Sequence, residues 1–367
     1  MNENSADERY MKRALGLARR GLGRTSPNPM VGAIIVKDDR IIGEGYHRRY
    51  GGDHAEVNAL RNARDGVTDS TIYITMEPCC LYERKVPSCL GTIIESGIKR
   101  VVLGTLDPHP AVNGKGVRIL DRSGIESSMG VLEEDCRRLN EMYFKYVRKG
   151  MPFVTLKFAQ TLDGRIATAT GSSQWISSDD SLKLAHRLRS VHDAVMVGIG
   201  TLLKDDPRLT VRLARGTSPI RVLADSRLRI PLDSKVLKEQ DIAATIIATT
   251  SRASKRKKAS LTNMGIEVME VAADGHGRVD LEKLLLRMGK LSISSVLVEG
   301  GSRIITSLLS ENLADKLIVA VAPKILGKGI EAVGNLGISE IAQSLKLSPV
   351  KVYRKGVDLI FEGRISS

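Results

Sequence analysis

The chain has 367 residues, 42% of them hydrophobic and 27% charged, with a formal net charge of +14 at pH 7. That length exceeds one typical core and predicts two domains. No apolar run of about 18 residues occurs, which argues against a membrane-spanning helix. The first residues, MNENSADERYMKRALGLARRG, lack both the apolar stretch of a signal peptide and the acid-poor character of a transit peptide. The expectation is a cytoplasmic protein with reduced thiols, which disfavours a disulfide staple. The positive charge is compatible with nucleic acid, an anionic small molecule or a solvated surface, and selects none of them. With four Phe and one Trp, there is little material for base-stacking platforms.

Met11, Leu15 and Ala18 at helical spacing predict an amphipathic helix over 6–22. Residues 31–47, VGAIIVKDDRIIGEGYH, read as a hairpin with KDDR at its turn. HAEVNALRNAR (54–64) predicts a helix, STIYITME (70–77) a strand, CLGTIIESGI (89–98) a short helix and KRVVLGTLD (99–107) a strand. Such alternation predicts a layered α/β domain. Residues 131–148 read as a charged helical tail, and Pro152 marks a boundary, giving expected domains of 1–148 and 152–367.

The pattern then restarts. FVTLKFAQTLDGRIAT is a strand leading into a turn, and SDDSLKLAHRLRSVH is helical with Ser178 or Asp179 as its cap. AVMVGIG (194–200), IRVLADS, TIIATT, SVLVEGG and DKLIVAVAPKILG (315–327) supply strands of a second α/β domain. RASKRKKAS (252–260) reads as an exposed basic turn.

The chemistry concentrates in two short stretches, HAE at 54–56 and TMEPCCLYERKVPSC at 75–89. The second holds three of the four cysteines. A catalytic zinc site needs three N or S ligands and one open position. His54 and Cys89 each open a predicted helix, where the dipole favours thiolate, and Cys79 ends a predicted strand. Glu56 can project into the same site without binding metal and shuttle protons. This approaches the H-x-E, P-C-x-x-C pattern of zinc deaminases, in which activated water attacks an amino-bearing ring carbon, but nine residues rather than two separate Cys79 from Cys89. Cys80 competes with Cys79, but Pro78 fixes the chain before Cys79, and adjacent residues of an extended chain point to opposite faces. The reading is His54, Cys79 and Cys89 as ligands of one Zn²⁺, with Cys80 as a packed or pocket-lining thiol and Cys136 as a plain core or surface one. In the second half, VLVEGGSRIITSLL is a strand, two glycines and a helix, a geometry that offers main-chain N–H groups to a phosphate.

Taken together, SPNPMVGAIIV, GYH, GGDHAEVNAL, MEPCCLYERKVPSC and LDPHPAVNGKGV resemble the bifunctional riboflavin-biosynthesis deaminase/reductase family. LKFAQTLDGRIATATGSSQWIS, LRSVHDAVMVGIGTLLKDDPRLTVR, ADSR and LVEGGSRI extend the resemblance over nearly the whole chain. It implies a cytidine-deaminase-like three-layer α/β/α domain followed by a dihydrofolate-reductase-like α/β domain. The implied activities are hydrolytic deamination of 2,5-diamino-6-(5-phosphoribosylamino)pyrimidin-4-one and NADPH reduction of the ribosyl group to ribityl. By the same resemblance, Asn28, His47 and Asp107 would meet the pyrimidine substrate. Ala159, Trp175, Thr201, Asp205, Ser226 and Gly301 would touch NADPH. Lys157, Ser173, Arg189, Leu209, Arg212 and Glu299 would touch the reductase substrate, with Arg189 and Arg212 as phosphate clamps.

The loop between the zinc cysteines departs from the family's usual EPCSHYGRTPPC. Cys80, Leu81 and Glu83 replace Ser, His and Gly, one residue is inserted near Val86, and His109 stands where the family has Asn. Arg84 and Lys85 remain as candidate phosphate partners. A small-molecule substrate and a homo-oligomer are expected, with neither nucleic acid nor membrane as partner. The rival readings are a nucleic-acid-editing deaminase with a binding module, a reductase-only relative, and a non-enzymatic nucleotide sensor.

Overall fold

The computed structural model describes residues 3–80 and 89–366. The chain forms two compact units, Met1–Gly150 and Met151–Ser367.

In the first unit, α1 (Glu3–Ala18) precedes a hairpin of β1 (Gly32–Lys37) and β2 (Arg40–Tyr46). Then come α2 (Ala55–Arg61), β3 (Thr71–Ile74), α3 (Cys89–Glu95), β4 (Arg100–Leu103), α4 (Lys115–Arg122), β5 (Glu126–Met129), α5 (Glu133–Leu139) and α6 (Glu141–Lys149). The sheet order is β2-β1-β3-β4-β5, with β1 antiparallel to both neighbours and β3, β4 and β5 parallel. Strand β1 is a continuous apolar run because both of its faces are covered. Ala33 and Ile35 pack with Ala55, Ala59, Leu90 and Ile93 of α2 and α3. Ile34 and Val36 pack on the other side with Met11, Ala14 and Leu15 of α1. The two-residue period of the strand thus builds helix–sheet–helix layers. At Gly45 of β2 a Cβ would strike the Ala55 carbonyl and the Ala59 nitrogen, so glycine permits the approach that seats α2, and His54 before it, against the sheet.

The helical tail expected over 131–148 is two helices interrupted at Asn140. Its side chain accepts from Met30 N at 2.8 Å and donates to Met30 O at 2.9 Å. Helix α4 and strand β5 were not expected from the pattern: α4 has eight residues, and its buried ones are Gly116 and Leu120, too few to display a period.

The second unit runs β6 (Phe153–Thr161), β7 (Arg165–Thr168), α7 (Asp179–Arg189), β8 (Ala194–Gly198), α8 (Ile199–Asp205), β9 (Ile220–Ala224), β10 (Thr245–Thr249), α9 (Lys255–Asn263) and β11 (Glu267–Glu270). It continues through α10 (Leu281–Lys290), β12 (Ser295–Val298), α11 (Ser302–Ser310), β13 (Lys316–Ala322), β14 (Gly329–Glu331), β15 (Lys346–Lys355) and β16 (Asp358–Ser366). Its main sheet has the order β11-β10-β9-β8-β12-β6-β13-β16-β15. Strands from β11 to β13 are parallel; β16 and β15 add an antiparallel edge. Ser178 is the N-cap of α7, accepting from Ser181 N. The basic stretch 252–260 is not a turn: residues from Lys255 onward form α9, capped by Ser254, which accepts from Lys257 N. Lysine, arginine and alanine are good helix formers, and Leu261 gives the helix its buried contact. Among the described residues no helix is long and apolar enough to cross a membrane.

Candidate active sites

His54 is the N-cap of α2, with extended backbone, and Cys89 is the first residue of α3. Cys79 lies in the loop after β3, which closes at Ile74, so Cys79 does not end a strand as expected. These three side chains converge: their ligand atoms lie within 4.8 Å of one another. His54 Nδ1 is 3.0 Å from Cys89 Sγ and 3.5 Å from Cys79 Sγ, and the two sulfurs are 3.2 Å apart. Cys80 points elsewhere, its Sγ 3.8 Å from the Ala111 carbonyl. Cys136 is fully buried in the core around α1. The Cys79 thiol is drawn toward thiolate by the hydrogen bond from Cys89, against the effect of burial and with help from His54. That same bond, together with burial, pushes the Cys89 thiol up.

Glu56, one helical residue beyond Ala55, is 3% exposed. Its carboxylate meets the Cys89 thiol, and its Oε2 is buried without a hydrogen-bond partner. Burial raises its pKa to about 6. A buried carboxylate oxygen left unpaired is costly and calls for a ligand or a proton. Beside an imidazole nitrogen and two thiols, that oxygen suits a zinc site whose fourth position is open to water. The donor set therefore fits the metal.

The expected pyrimidine contacts adjoin this cluster. The His47 ring sits edge-on to His54, with centroids 5.1 Å apart. The Asp53 carbonyl can only accept, so His47 Nδ1 carries the proton (3.1 Å), and Nε2 accepts from Asn28 Nδ2 at 3.3 Å. Burial lowers the His47 pKa, with the Asp53 carbonyl opposing that effect. Asp107 is held by the Tyr143 hydroxyl, at 3.0 and 3.2 Å from its two oxygens, and by His109 N at 2.8 Å. His109 Nδ1 accepts from Ala111 N at 3.2 Å. Arg84 and Lys85 lie outside the described residues.

Two residues here escaped the sequence reading. Tyr143, in α6, is one of three aromatics on that helix and carries no signal that sets it apart from Phe144 and Tyr146. Glu77 was read only as context for Cys79, yet its carboxylate gathers Asp107 N (3.3 Å), Gly114 N (2.9 Å) and Gly116 N (2.9 Å) and so shapes the loop that carries Asp107.

In the second unit, a cavity of about 1230 Å³ opens where several parallel strands end, the usual place for a ligand in an α/β sheet. Every residue expected to meet cofactor or reductase substrate lines it: Lys157, Ala159, Ser173, Trp175, Arg189, Thr201, Asp205, Leu209, Arg212, Ser226, Glu299 and Gly301. Gly301 caps α11 with φ 84°, a left-handed conformation suited to glycine. Ser226 Oγ accepts from Val279 N at 3.0 Å. Trp175 is 68% exposed rather than packed in a core. Burial lowers the pKa of Lys157, with Glu299 opposing that effect.

Arg189, expected as a phosphate clamp, lines the cavity while engaged in a buried pair. Its guanidinium already forks onto Glu299 and donates to the Thr210 carbonyl at 3.1 Å. Three of its five N–H donors are thus committed, which argues against a full forked grip on a phosphate. Arg212 is more open: its Nη1 donates to Thr210 Oγ1 at 2.8 Å. His186, three residues before Arg189 and thus on the same helix face, also lines the cavity.

The zinc-binding region of cytidine and deoxycytidylate deaminases matches residues 4–105, and the RibD C-terminal domain matches residues 152–361. The riboflavin biosynthesis protein RibD of Aquifex aeolicus is 46% identical over 355 residues, which cover 96% of this chain and 97% of that protein. RibD of Escherichia coli is 37% identical over 367 residues, covering 96% and 98%. The crystal structure of a diaminohydroxyphosphoribosylaminopyrimidine deaminase/5-amino-6-(5-phosphoribosylamino)uracil reductase from Thermotoga maritima is 38% identical, covers 100% of both chains and superposes with a TM-score of 0.85. With a deaminase zinc cluster in one unit, a ligand cavity in the other and similarity along the whole length, the chain belongs to the RibD family of bifunctional deaminase/reductases of riboflavin biosynthesis.

Proposed function

We propose that residues 1–148 deaminate 2,5-diamino-6-(5-phosphoribosylamino)pyrimidin-4-one with Glu56 as the proton carrier, and that residues 152–367 reduce the ribosyl group of the product. The observation that carries this reading is the unpartnered Glu56 Oε2 beside the converging His54, Cys79 and Cys89. Those three side chains would hold zinc, which would supply Lewis-acid activation of water, and NADPH in the second unit would supply the hydride. Glu56 takes one proton from the attacking water and passes it to the ring nitrogen, then carries the added hydroxyl's remaining proton to the amine, which leaves as ammonia as the carbonyl forms. Asn28 and His47, locked to each other, form one wall for the pyrimidine. Asp107, locked by Tyr143, supplies a fixed acceptor.

In the reductase cavity, the C1′–O4′ bond of the ribose opens as hydride reaches C1′ and a proton reaches O4′. Lys157 and Glu299 are assigned to the substrate end of that cavity and Arg212 to the 5-phosphate, which a guanidinium can grip in a fork. Gly301 and the start of α11 offer main-chain N–H groups to the cofactor phosphates. The test supplies the diaminopyrimidine phosphate with and without NADPH and follows ammonia and the ribityl product separately. Ammonia is expected in both cases and the ribityl product only with NADPH. Absence of ammonia, or its dependence on NADPH, rejects the reading.

A further inference from the structure

Leu209 and Arg212 sit in a stretch, 206–212, that is neither helix nor strand. It is entered through Asp206 at φ 36° and passes through Leu209 at φ 57°, both in the left-handed region that side chains disfavour. No sheet pairing fixes its course, so side-chain anchors must hold this strained path. Two anchors come from α7, one turn apart. Arg189 donates to the Thr210 carbonyl at 3.1 Å. His186 Nδ1 accepts from the Arg212 main-chain N–H at 3.0 Å. A third bond, Val211 N to Ser218 Oγ at 3.0 Å, holds the outer side.

The main-chain N–H can only donate, so His186 Nδ1 is unprotonated and the ring proton sits on Nε2. Its surroundings maintain that state: burial first, then Arg189 on its own helix, Arg212 on the anchored stretch and Lys157 on β6, with Glu299 after β12 opposing them. The ring is 1% exposed.

We propose that His186 is a positioning residue of the reductase half. Its Nδ1 pins the main chain at Arg212 and so aims the Arg212 guanidinium at the substrate's phosphomonoester. This rests on the reading of Arg212 given above. The assignment makes the acceptor atom, not the bulk or charge of the ring, the feature that matters.

The experiment uses the full chain with zinc and NADPH and measures reduction of 5-amino-6-(5-phosphoribosylamino)uracil by His186→Leu, His186→Asn, Arg212→Ala and the double variant His186→Leu/Arg212→Ala. Asparagine places its Oδ1 where Nδ1 stood; leucine removes the acceptor from that half-buried N–H. His186→Leu is expected to raise KM about tenfold, with kcat and NADPH affinity changed less than about twofold. His186→Asn should stay within about threefold of the unmodified enzyme. If His186 acts through Arg212, the double variant should be no worse than Arg212→Ala alone. An unchanged KM in His186→Leu, an Asn variant as impaired as the Leu variant, or additive losses in the double variant would each overturn the proposal. If His186→Leu also lost NADPH affinity, the Asn comparison would decide. An unchanged KM in Arg212→Ala, by contrast, would reject the phosphate reading of Arg212 itself.

Discussion

Arg189 and Glu299 form a buried fork, Nε to Oε1 at 2.6 Å and Nη2 to Oε2 at 2.5 Å, with side chains 9% and 10% exposed. One end is on helix α7 and the other follows strand β12, so the pair ties the helix to the strand end beneath the cavity. Removing one partner of such a pair leaves a bare buried charge, which costs about 3–5 kcal/mol. Arg189→Met should therefore lower the thermal midpoint of the reductase unit and abolish reduction, rather than raise only the KM for the phosphorylated substrate. Arg189→Met/Glu299→Leu should recover much of the stability without recovering activity. A stable Arg189→Met enzyme with only a KM defect would restore the phosphate-clamp role that the pairing argues against.

The metal set predicts a sharp division among the cysteines. Cys79→Ser or Cys89→Ser should lose most of the zinc, because each removes one of three converging donors. Cys80→Ser should keep it, since its thiol faces the Ala111 carbonyl. Glu56→Gln should keep the metal and lose about 100-fold or more in ammonia release, the usual scale for a lost proton carrier. Elemental analysis of the purified variants alongside an ammonia assay separates these outcomes; zinc loss in Glu56→Gln would contradict its role as a non-ligand.

Within the cavity, Arg212→Ala should raise KM for the ribosyl substrate about 10- to 150-fold, the effect of one charge-assisted contact, with NADPH affinity nearly unchanged. Gly301→Val should do the reverse. Its φ of 84° disfavours a side chain, and a Cβ there would stand 3.1 Å from Thr201 Oγ1. Calorimetric titration of each variant with both ligands would read the split, and an exchange of the two phenotypes would mean the ends of the cavity are assigned the wrong way round.

Stability should fall on mild acidification through His192. Its Nδ1–H donates to the Leu188 carbonyl at 2.8 Å, and its Nε2 lies 2.9 Å from the Thr155 hydroxyl, which can donate to a neutral ring. Burial lowers its pKa from 6.5 to about 4. The unfolded chain binds the proton first, so this contribution is complete above 6.5 and is lost as pH falls from there toward about 4. The loss amounts to about 3 kcal/mol at most. Denaturant unfolding at several pH values should show a flatter profile for His192→Gln in that window. An equally steep profile would exclude His192 as the source.

Short-range patterns were legible without a structure. The apolar runs that became β1, β8, β10 and β12 are buried on both faces, and such strands announce themselves by composition. The cap of α7 could be narrowed to Ser178 or Asp179 because capping is a contact over three residues, and the structure selects Ser178. His54, Glu56 and Cys79 were visible because the deaminase pattern keeps them in two short words of sequence. The helix α8 was hidden, since seven residues after a strand and a glycine resemble a loop. Helix α9 was hidden too, because a run of lysine and arginine reads equally as a solvated turn. The partnerships needed the tertiary fold. Arg189 meets Glu299 across 110 positions, Tyr143 meets Asp107 across 36, and His186 meets Arg212 across 26. Sequence by itself determined which residue types could do the chemistry; sheet order and helix packing decided which charge neutralises which, because two side chains far apart in the chain become partners only when strand register brings their backbones within reach.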